Sequence, residues 1–232
     1  MKFITIVMPL LALATTITAQ KTKQVKRYLY HSHGISFQQF TAINKRIAAN
    51  PMYQQTKNST GTLDFGFITN YKKVAISYNL NAGNSLSGNR NKRSTSINFL
   101  GGSVDVLFPV YKVKTITVNP FVGLGFEKFK VKVNKDLSTV PFDSLLGSNN
   151  NQQLIGNLQF SNAFALYRFG LQVVIQSNKK LKNSVGLQVG YLNSFTKNDW
   201  KANDTQSVLN APKDKLAKLF ASIIFRYQLI KK

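Results

Sequence analysis

Residues 74–82 read VAISYNLNA, a run in which apolar side chains alternate one for one with small or polar ones. A period of two places Ile76, Tyr78 and Leu80 on one face of a β-strand and Ser77 and Asn79 on the other. A tilted strand of about 9–11 residues is long enough to cross the hydrocarbon core of a membrane. The run therefore predicts a strand with one apolar and one polar face, which suits either a water-soluble barrel or a membrane barrel.

The same alternation recurs along the chain and predicts an all-β fold. Six further segments carry it: residues 60–70, 95–108, 118–126, 163–173, 185–191 and 219–229. Within residues 95–108 the apolar positions change from odd numbers to even numbers at Gly101 and Gly102. Such a change predicts a β-bulge at the glycine pair. Tyr28–Gln38 alternates more weakly and is the candidate for an eighth strand.

The connections between the predicted strands alternate strictly in length. Short polar connections occur at residues 70–73, 110–114 and 177–182, and long ones at 83–93, 134–157 and 196–215. This rhythm places a further long connection after the first strand, where Phe40, Ile43 and Ile47 recur at helical spacing before Asn50-Pro51. The chain is therefore predicted to be a closed, antiparallel, up-and-down β-barrel of eight strands, with a short helix in its first long loop.

The first residues have the character of an export signal. Lys2 precedes an apolar run, Phe3 to Ala14, and small residues follow up to Ala19. A basic start, a short apolar stretch and a small residue at the cut site are typical of a secretory signal peptide. We predict cleavage after Ala19, so that residues 1–19 are the signal peptide and residues 20–232 form the barrel domain.

Charge is unevenly distributed over the predicted barrel. The chain has 31 Lys and Arg residues against 8 Asp and Glu residues, a formal net charge of +23, and no Cys. Among the basic residues, only Arg168 and Arg226 fall in the middle of a predicted strand. A charge on the lipid face of a barrel costs about 2–4 kcal/mol at mid-depth and little near the interfaces, so this distribution favours a transmembrane barrel. The lack of cysteine excludes disulfide scaffolds, thiolate metal sites and cysteine nucleophiles.

Two segments, together with the export signal and the loop rhythm, carry a family resemblance. They are Pro120–Phe126, which reads PFVGLGF, and the aromatic final strand Ser222–Leu229. In these features nearly the whole mature chain resembles the small Gram-negative outer-membrane β-barrels of the OmpA/OmpX type. The resemblance implies a location in the outer membrane and insertion by the barrel-assembly machinery. Such barrels often end in an aromatic residue, whereas this chain continues to Ile230-Lys231-Lys232.

Two other classes remain open from the residues alone. A soluble, secreted lipocalin-like binding barrel would enclose an apolar cavity and present polar strand faces to water. A narrow porin-like channel would share the apolar exterior of a membrane barrel but have an open lumen. In a membrane barrel Ile76, Leu187 and Ile223 face lipid while Gln188 and Arg226 face the interior, and a lipocalin-like barrel reverses these faces.

Five ionisable residues occur on the polar faces of predicted strands: Asp64, Asp105, Glu127, Arg168 and Arg226. Counted from the short turns, Glu127 and Arg168 lie high on neighbouring strands and the other three lie lower. Side chains normally fill the interior of an eight-stranded barrel, and buried carboxylates and guanidinium groups are tolerated when they are paired. We therefore expect a hydrogen-bonded charge network that plugs the lumen, rather than an ion or proton path.

Basic residues on the long-loop side form a second candidate site. They are Arg90, Lys92 and Arg93 in one long loop, and Lys128, Lys130 and Lys132 just above the predicted membrane. Because Lys and Arg bind phosphate, these six are candidate contacts for the phosphates of lipopolysaccharide. Nucleic acid is not an expected partner, since no helix-turn-helix, zinc-finger or RNP-type motif occurs.

The sequence does not predict an enzyme. His31 and His33 are the only histidines, and no carboxylate lies near them in the sequence to complete a nucleophile–base pair. No GxSxG elbow, P-loop, HExxH or dinucleotide-binding fingerprint occurs. We expect the two histidines to be polar residues near the barrel rim, and we expect no metal or other cofactor. The predicted role is structural, adhesive or surface-binding.

Overall fold

The computed structural model describes residues 26–50, 53–71, 73–85, 94–134, 158–176, 183–203 and 206–229. Within these ranges eight long strands form the barrel: β1 (Lys26–Gln38), β2 (Ser59–Asn70), β3 (Ala75–Ser85), β4 (Ser94–Leu107), β5 (Ile116–Asn134), β6 (Leu158–Gln176), β7 (Asn183–Ser194) and β8 (Ala217–Leu229). Helix α1 (Thr41–Ala48) follows β1. Short strands lie at Tyr111–Val113, Asn198–Asp199, Lys201–Ala202, Gln206–Ser207 and Lys213–Asp214.

The eight strands form one closed antiparallel sheet. Each strand pairs with its neighbours in the sequence, and β1 closes the circle by pairing with β8, with Leu29 opposite Tyr227 and Ile35 opposite Ala221. Closure leaves no unpaired strand edge, as a hydrocarbon environment requires. The predicted closed barrel of eight strands, with a short helix in its first long loop, is confirmed. Within the described ranges no helix has the length and apolar character needed to span a membrane.

The orientation of the strand faces separates the membrane barrel from the lipocalin-like alternative. Leu187 is 53% exposed, whereas the next residue, Gln188, is 7% exposed. On β8 the Ile223 side chain is exposed, and Arg226 is buried inside the barrel. Apolar side chains therefore cover the outside and polar ones fill the inside. This is the arrangement predicted for a membrane barrel and the reverse of a lipocalin-like one.

Strand β4 is regular, and the predicted β-bulge is wrong. Its register with both β3 and β5 continues without interruption through Gly101 and Gly102. Phe99 is buried inside the barrel, while Val104 and Val106 belong to the outward-facing set. The apolar residues change face because the barrel interior becomes apolar near the long loops. A change of environment, rather than an extra residue, explains the sequence pattern.

Strand β5 shows where the barrel wall leaves the hydrocarbon. Val122, Leu124 and Phe126 are exposed on the outward face, and the next outward residues are lysines. On the inward face, Phe129 and Val131 are fully buried from this level upward. An apolar exterior suits lipid, whereas a charged exterior around an apolar core suits water. The strand therefore enters an aqueous environment just above Phe126.

Candidate functional site: the sealed lumen and the basic outer rim

The barrel interior has three layers, so that the charged middle of the lumen is closed at both ends. At the short-turn end lies a small apolar layer of Tyr30, Ile68, Ala75, Leu107, Phe121 and Ile224. At the long-loop end lies a larger one, which we call the upper apolar layer: Phe40, Ile43, Ile47, Ile97, Phe99, Phe129, Val131, Val133, Phe164, Leu166, Leu192, Trp200 and Leu216. The ionised groups of the lumen lie on the strands of the barrel wall, whereas the buried Asp214 at the mouth lies in the last long loop.

Helix α1 and the last long loop supply the centre of the upper apolar layer. The Phe40 ring, directly before α1, lies 5.2 Å from the Trp200 ring and 5.0 Å from the Phe129 ring, edge to face in both cases. Ile43 and Ile47 are the buried residues of α1, on its inward face. The apolar spacing that predicted the helix therefore reflects its insertion into the barrel mouth.

Asp214 joins helix α1 to the last long loop within the upper apolar layer. Its Oδ1 accepts a hydrogen bond from the Ala42 backbone N–H at 2.8 Å, and its Oδ2 accepts one from the Ile43 N–H at 3.0 Å. Oδ2 also accepts a hydrogen bond from Trp200 Nε1 at 2.8 Å. A carboxylate at this place accepts hydrogen bonds from the free N–H groups of the first helical turn. It is also stabilised by the positive end of the helix dipole. One buried side chain thus fastens both α1 and Trp200.

Replacing Asp214 by alanine is expected to loosen the mouth without unfolding the barrel. The three lost hydrogen bonds involve a charged acceptor, so the upper layer should lose about 1–3 kcal/mol of local stability. Trp200 is the only tryptophan, and its fluorescence should shift to longer wavelength and become accessible to iodide. Asp199→Ala is the control, because that carboxylate has only an exposed partner, Lys213, at 3.6 Å. Unchanged Trp200 fluorescence in Asp214→Ala would contradict the fastening role.

The middle layer contains a buried ion pair between Arg168 of β6 and Asp105 of β4. Arg168 Nε lies 3.2 Å from Asp105 Oδ1, and Arg168 Nη1 donates to Ser103 Oγ at 2.8 Å. Asp105 Oδ2 accepts a hydrogen bond from Asn79 Nδ2 at 2.6 Å. The guanidinium carbon also lies 4.9 Å from the centre of the Phe220 ring. The pair therefore joins β4 and β6 on the lumen side of β5, whose Gly123 lies between them.

A second buried ion pair lies directly beneath the upper apolar layer. Lys218 Nζ of β8 donates to both carboxylate oxygens of Glu127 at 2.7 Å. The two side chains are 3% and 2% exposed, respectively. Asn81 Nδ2 donates to Glu127 Oε1 at 2.6 Å, and Lys218 Nζ lies 3.8 Å from the centre of the Phe99 ring. The pair is thus held between hydrogen-bond partners and an aromatic face.

The remaining lumen charges have neutral partners. Asp64 Oδ2 accepts a hydrogen bond from Ser32 Oγ at 2.6 Å, and Arg226 Nη2 donates to Gln172 Oε1. Among the described residues, the strands thus present three acids and three bases to the lumen. They are Asp64, Asp105 and Glu127, and Arg168, Lys218 and Arg226. The formal charges cancel, so the plug needs no counterion.

All five predicted lumen residues lie inside the barrel, but the structure distributes them over separate groups. Glu127 bonds to Lys218 rather than to Arg168, its neighbour in the predicted arrangement. Lys218 lies just outside the predicted last strand, which covers residues 219–229, whereas β8 begins at Ala217. The signal was nonetheless there: Lys218 shares its even parity with Ser222 and Arg226.

Of the six predicted phosphate contacts, the structure describes three. Lys128, Lys130 and Lys132 lie on the outward face of β5, directly above Phe126. Arg90, Lys92 and Arg93 lie outside the described residues. On the neighbouring strand β4, small or polar residues of the outward face lie opposite the two upper lysines, Asn98 beside Lys130 and Ser96 beside Lys132. The three described lysines therefore form a ladder along one strand.

The predicted place of the two histidines is wrong. His31 and His33 face outwards near the middle of β1, with His33 opposite Ile223 of β8. The predicted first strand starts at Tyr28, which puts both histidines near its beginning, whereas β1 begins at Lys26 and places them near its middle. Within the described residues no three His, Asp or Glu side chains gather in a way that could hold a metal ion.

No family model and no curated protein sequence matches the chain. Solved structures of similar shape do exist. A major outer membrane protein of Thermus thermophilus has a TM-score of 0.49 at 12% identity, over 88% of this chain and 100% of that one. OprG of Pseudomonas aeruginosa has a TM-score of 0.48 at 12% identity, over 90% and 98%. Ail of Yersinia pestis, in complex with the heparin analogue sucrose octasulfate, has a TM-score of 0.47 at 9% identity, over 88% and 100%.

The chain's own geometry decides its class. A closed sheet satisfies every strand edge, and the belt of exposed apolar side chains has the composition that lipid requires. Its lower edge carries exposed aromatics, Phe108 and Tyr111, and its upper edge ends at the β5 lysines. The chain is an eight-stranded transmembrane β-barrel.

Proposed function

We propose that this protein is a non-conducting, non-enzymatic barrel that binds anionic headgroups, chiefly lipopolysaccharide phosphates, through its outer rim. The observation that carries the proposal is the ladder of Lys128, Lys130 and Lys132 immediately above the apolar stripe of β5. This is the height at which lipid phosphates lie next to the barrel wall. The wider role that we propose is structural or adhesive, with insertion by the barrel-assembly machinery.

The charge of the whole long-loop side supports this proposal. Among its described residues, ten basic side chains are exposed or partly exposed: Lys45, Arg46, Lys57, Lys128, Lys130, Lys132, Lys197, Lys201, Lys213 and Lys215. Of the two acids described there, Asp199 is exposed and Asp214 is buried in the upper apolar layer. A surface with this excess of positive charge attracts polyanions over distances of about 8 Å at physiological salt.

The three interior layers support the absence of a pore. An ion entering from either end would meet an apolar layer, and the charged groups of the lumen are already engaged in two ion pairs and in hydrogen bonds to neutral partners. The porin-like alternative predicts a continuous aqueous path through the barrel. A stable ohmic current step in a planar bilayer would contradict the closed-lumen part of the proposal.

The placement of the two histidines and of the buried acids and bases supports a non-enzymatic role. Both histidines face lipid, away from the carboxylates of the lumen. The buried acids and bases are engaged in ion pairs and hydrogen bonds inside a sealed interior that a substrate does not reach.

The triple variant Lys128→Gln/Lys130→Gln/Lys132→Gln is expected to bind lipopolysaccharide about a hundredfold more weakly. The reason is that each basic residue near an anionic surface contributes about 1 kcal/mol. The measurement is binding of purified lipopolysaccharide to the detergent-solubilised protein, with dephosphorylated lipopolysaccharide as the ligand control.

The matched control carries the same charge change on the opposite rim: Lys26→Gln/Lys112→Gln/Lys114→Gln. These three lysines are exposed at the short-turn end, so the variant should bind lipopolysaccharide like the wild type. Equal loss of affinity in both triple variants would show that net charge, rather than the position of the β5 lysines, determines binding, and would contradict the proposal. Equal binding of phosphorylated and dephosphorylated ligand would contradict phosphate recognition.

A further inference from the structure

On the described strands, two polar side chains, His31 and His33 of β1, interrupt the lipid-facing belt in the middle of a strand. Their ring centres are 5.4 Å apart, and the His31 ring stacks on Phe225 at 5.1 Å and on Tyr227 at 5.6 Å. Along the outward stripe of β1, from Leu29 to Phe37, His33 is the central residue. Both imidazoles therefore lie at the depth at which the bilayer is most apolar.

Neither imidazole has a hydrogen-bond partner among the residues that the structure describes, and their contacts are aromatic. Acyl chains offer no donor or acceptor, so a polar group that faces them stays unsatisfied. Polar side chains are rare on the lipid face for this reason and usually meet another polar group. The His31–His33 pair thus requires a partner that lies within the membrane.

A shallow groove of about 500 Å³ lies beside His33 on the outer surface of β2 and β3. Its outward-facing wall is formed by small residues, Gly61 and Ala82, next to Leu63. Small residues let a neighbouring protein approach closely in a membrane, where van der Waals packing and hydrogen bonds drive association. The polar pair and the space beside it form one continuous surface, which we call the histidine face.

We propose that the histidine face is the interface of a two-fold symmetric dimer, and that its occupant is a second copy of this chain. A neutral imidazole has one donor and one acceptor, so two copies related by a two-fold axis satisfy each other's groups without any further chemistry. An axis normal to the membrane also brings both pairs to the same depth. Each copy meets the same patch on the other, as an isologous interface requires.

The chain lacks cysteine, so a single spin label can be placed by one substitution. Leu63→Cys puts the label in the histidine face, and Leu124→Cys puts it in the same apolar belt on β5, on the far side of the barrel. After reconstitution into lipid bilayers, double electron–electron resonance should give a short inter-spin distance for Leu63→Cys and a long one for Leu124→Cys. A monomeric protein, or equal distances at the two sites, would overturn the proposal.

Two variants test the chemistry of the interface. His31→Leu/His33→Leu should weaken dimerisation about tenfold, as expected for loss of hydrogen bonds between membrane segments. Ala82→Leu fills the groove without touching the imidazoles and should also shift the equilibrium to monomer. Ala165→Leu adds the same bulk on the outward face of β6, on the far side of the barrel, and should leave the dimer unchanged. Circular dichroism confirms that each variant is folded, and an unchanged dimer in both test variants would refute the assignment.

Discussion

Replacing Lys218 by methionine is expected to lower the free energy of unfolding by about 3–5 kcal/mol, because it leaves the Glu127 carboxylate buried without its cation. Both side chains are almost fully buried, so water cannot solvate the remaining charge in the folded barrel. Urea unfolding of the reconstituted protein, followed by circular dichroism, measures the loss.

The double variant Lys218→Met/Glu127→Gln separates the ion pair from its surroundings. Removing both charges eliminates the unpaired carboxylate, so this variant should be clearly more stable than Lys218→Met alone. Lys213→Met is the matched surface control, since its pair with Asp199 is more than half exposed and contributes at most about 1 kcal/mol. If Lys218→Met unfolded like Lys213→Met, the buried pair would not hold the lumen together.

The second large effect is expected on the outer surface. Leu187→Lys should destabilise the barrel by about 2–4 kcal/mol, because a lysine near mid-depth on the lipid face brings a charge into hydrocarbon. Leu187 is 53% exposed, so the new side chain meets no steric obstacle inside the protein. The measurement is again urea unfolding in lipid vesicles.

Leu209→Lys is the control for this prediction. Leu209 lies in the last long loop and is 90% exposed, on the side of the barrel that we assign to water. Lysine there should change the stability by less than about 0.5 kcal/mol, as is usual for surface substitutions. If both leucines tolerated lysine equally well, water rather than lipid would surround the belt.

The barrel could be predicted from the sequence because the patterns that determine it are local. The alternation along residues 74–82 and 185–191 reports two different environments on the two faces of one strand, whatever the rest of the chain does. The alternation of short and long connections then determines the up-and-down order. The spacing of Phe40, Ile43 and Ile47 indicated α1 for the same reason, since it reports one buried helix face.

The candidate site was accessible only in part. Parity along the strands selects the residues that enter the lumen, so Asp105, Glu127 and Arg168 were found. Their partners depend on closure, which brings Lys218 of the last strand to Glu127, 91 positions away. No local pattern indicates which of several lumen charges meet across the barrel.

The false bulge in β4 and the role of Asp214 have the same explanation. Ile97 and Phe99 face inwards, unlike Val104 and Val106, because helix α1 enters the barrel from another loop and makes its mouth apolar. Asp214 bonds to backbone groups 171 and 172 positions away, so no nearby residue indicates its role. Both features arise from the docking of distant segments.

The amino-acid sequence by itself determined that this chain forms eight antiparallel strands with one apolar and one polar face each, and its charge distribution favoured lipid on the apolar side. The two-residue period of the side chains and the free-energy cost of a charge that faces lipid act on each strand separately. Only the tertiary structure decided which charges pair, how the mouth is sealed and that the histidines face lipid at mid-depth. Those features depend on the register between strands and on contacts between remote segments, and neither is set by any single stretch of residues.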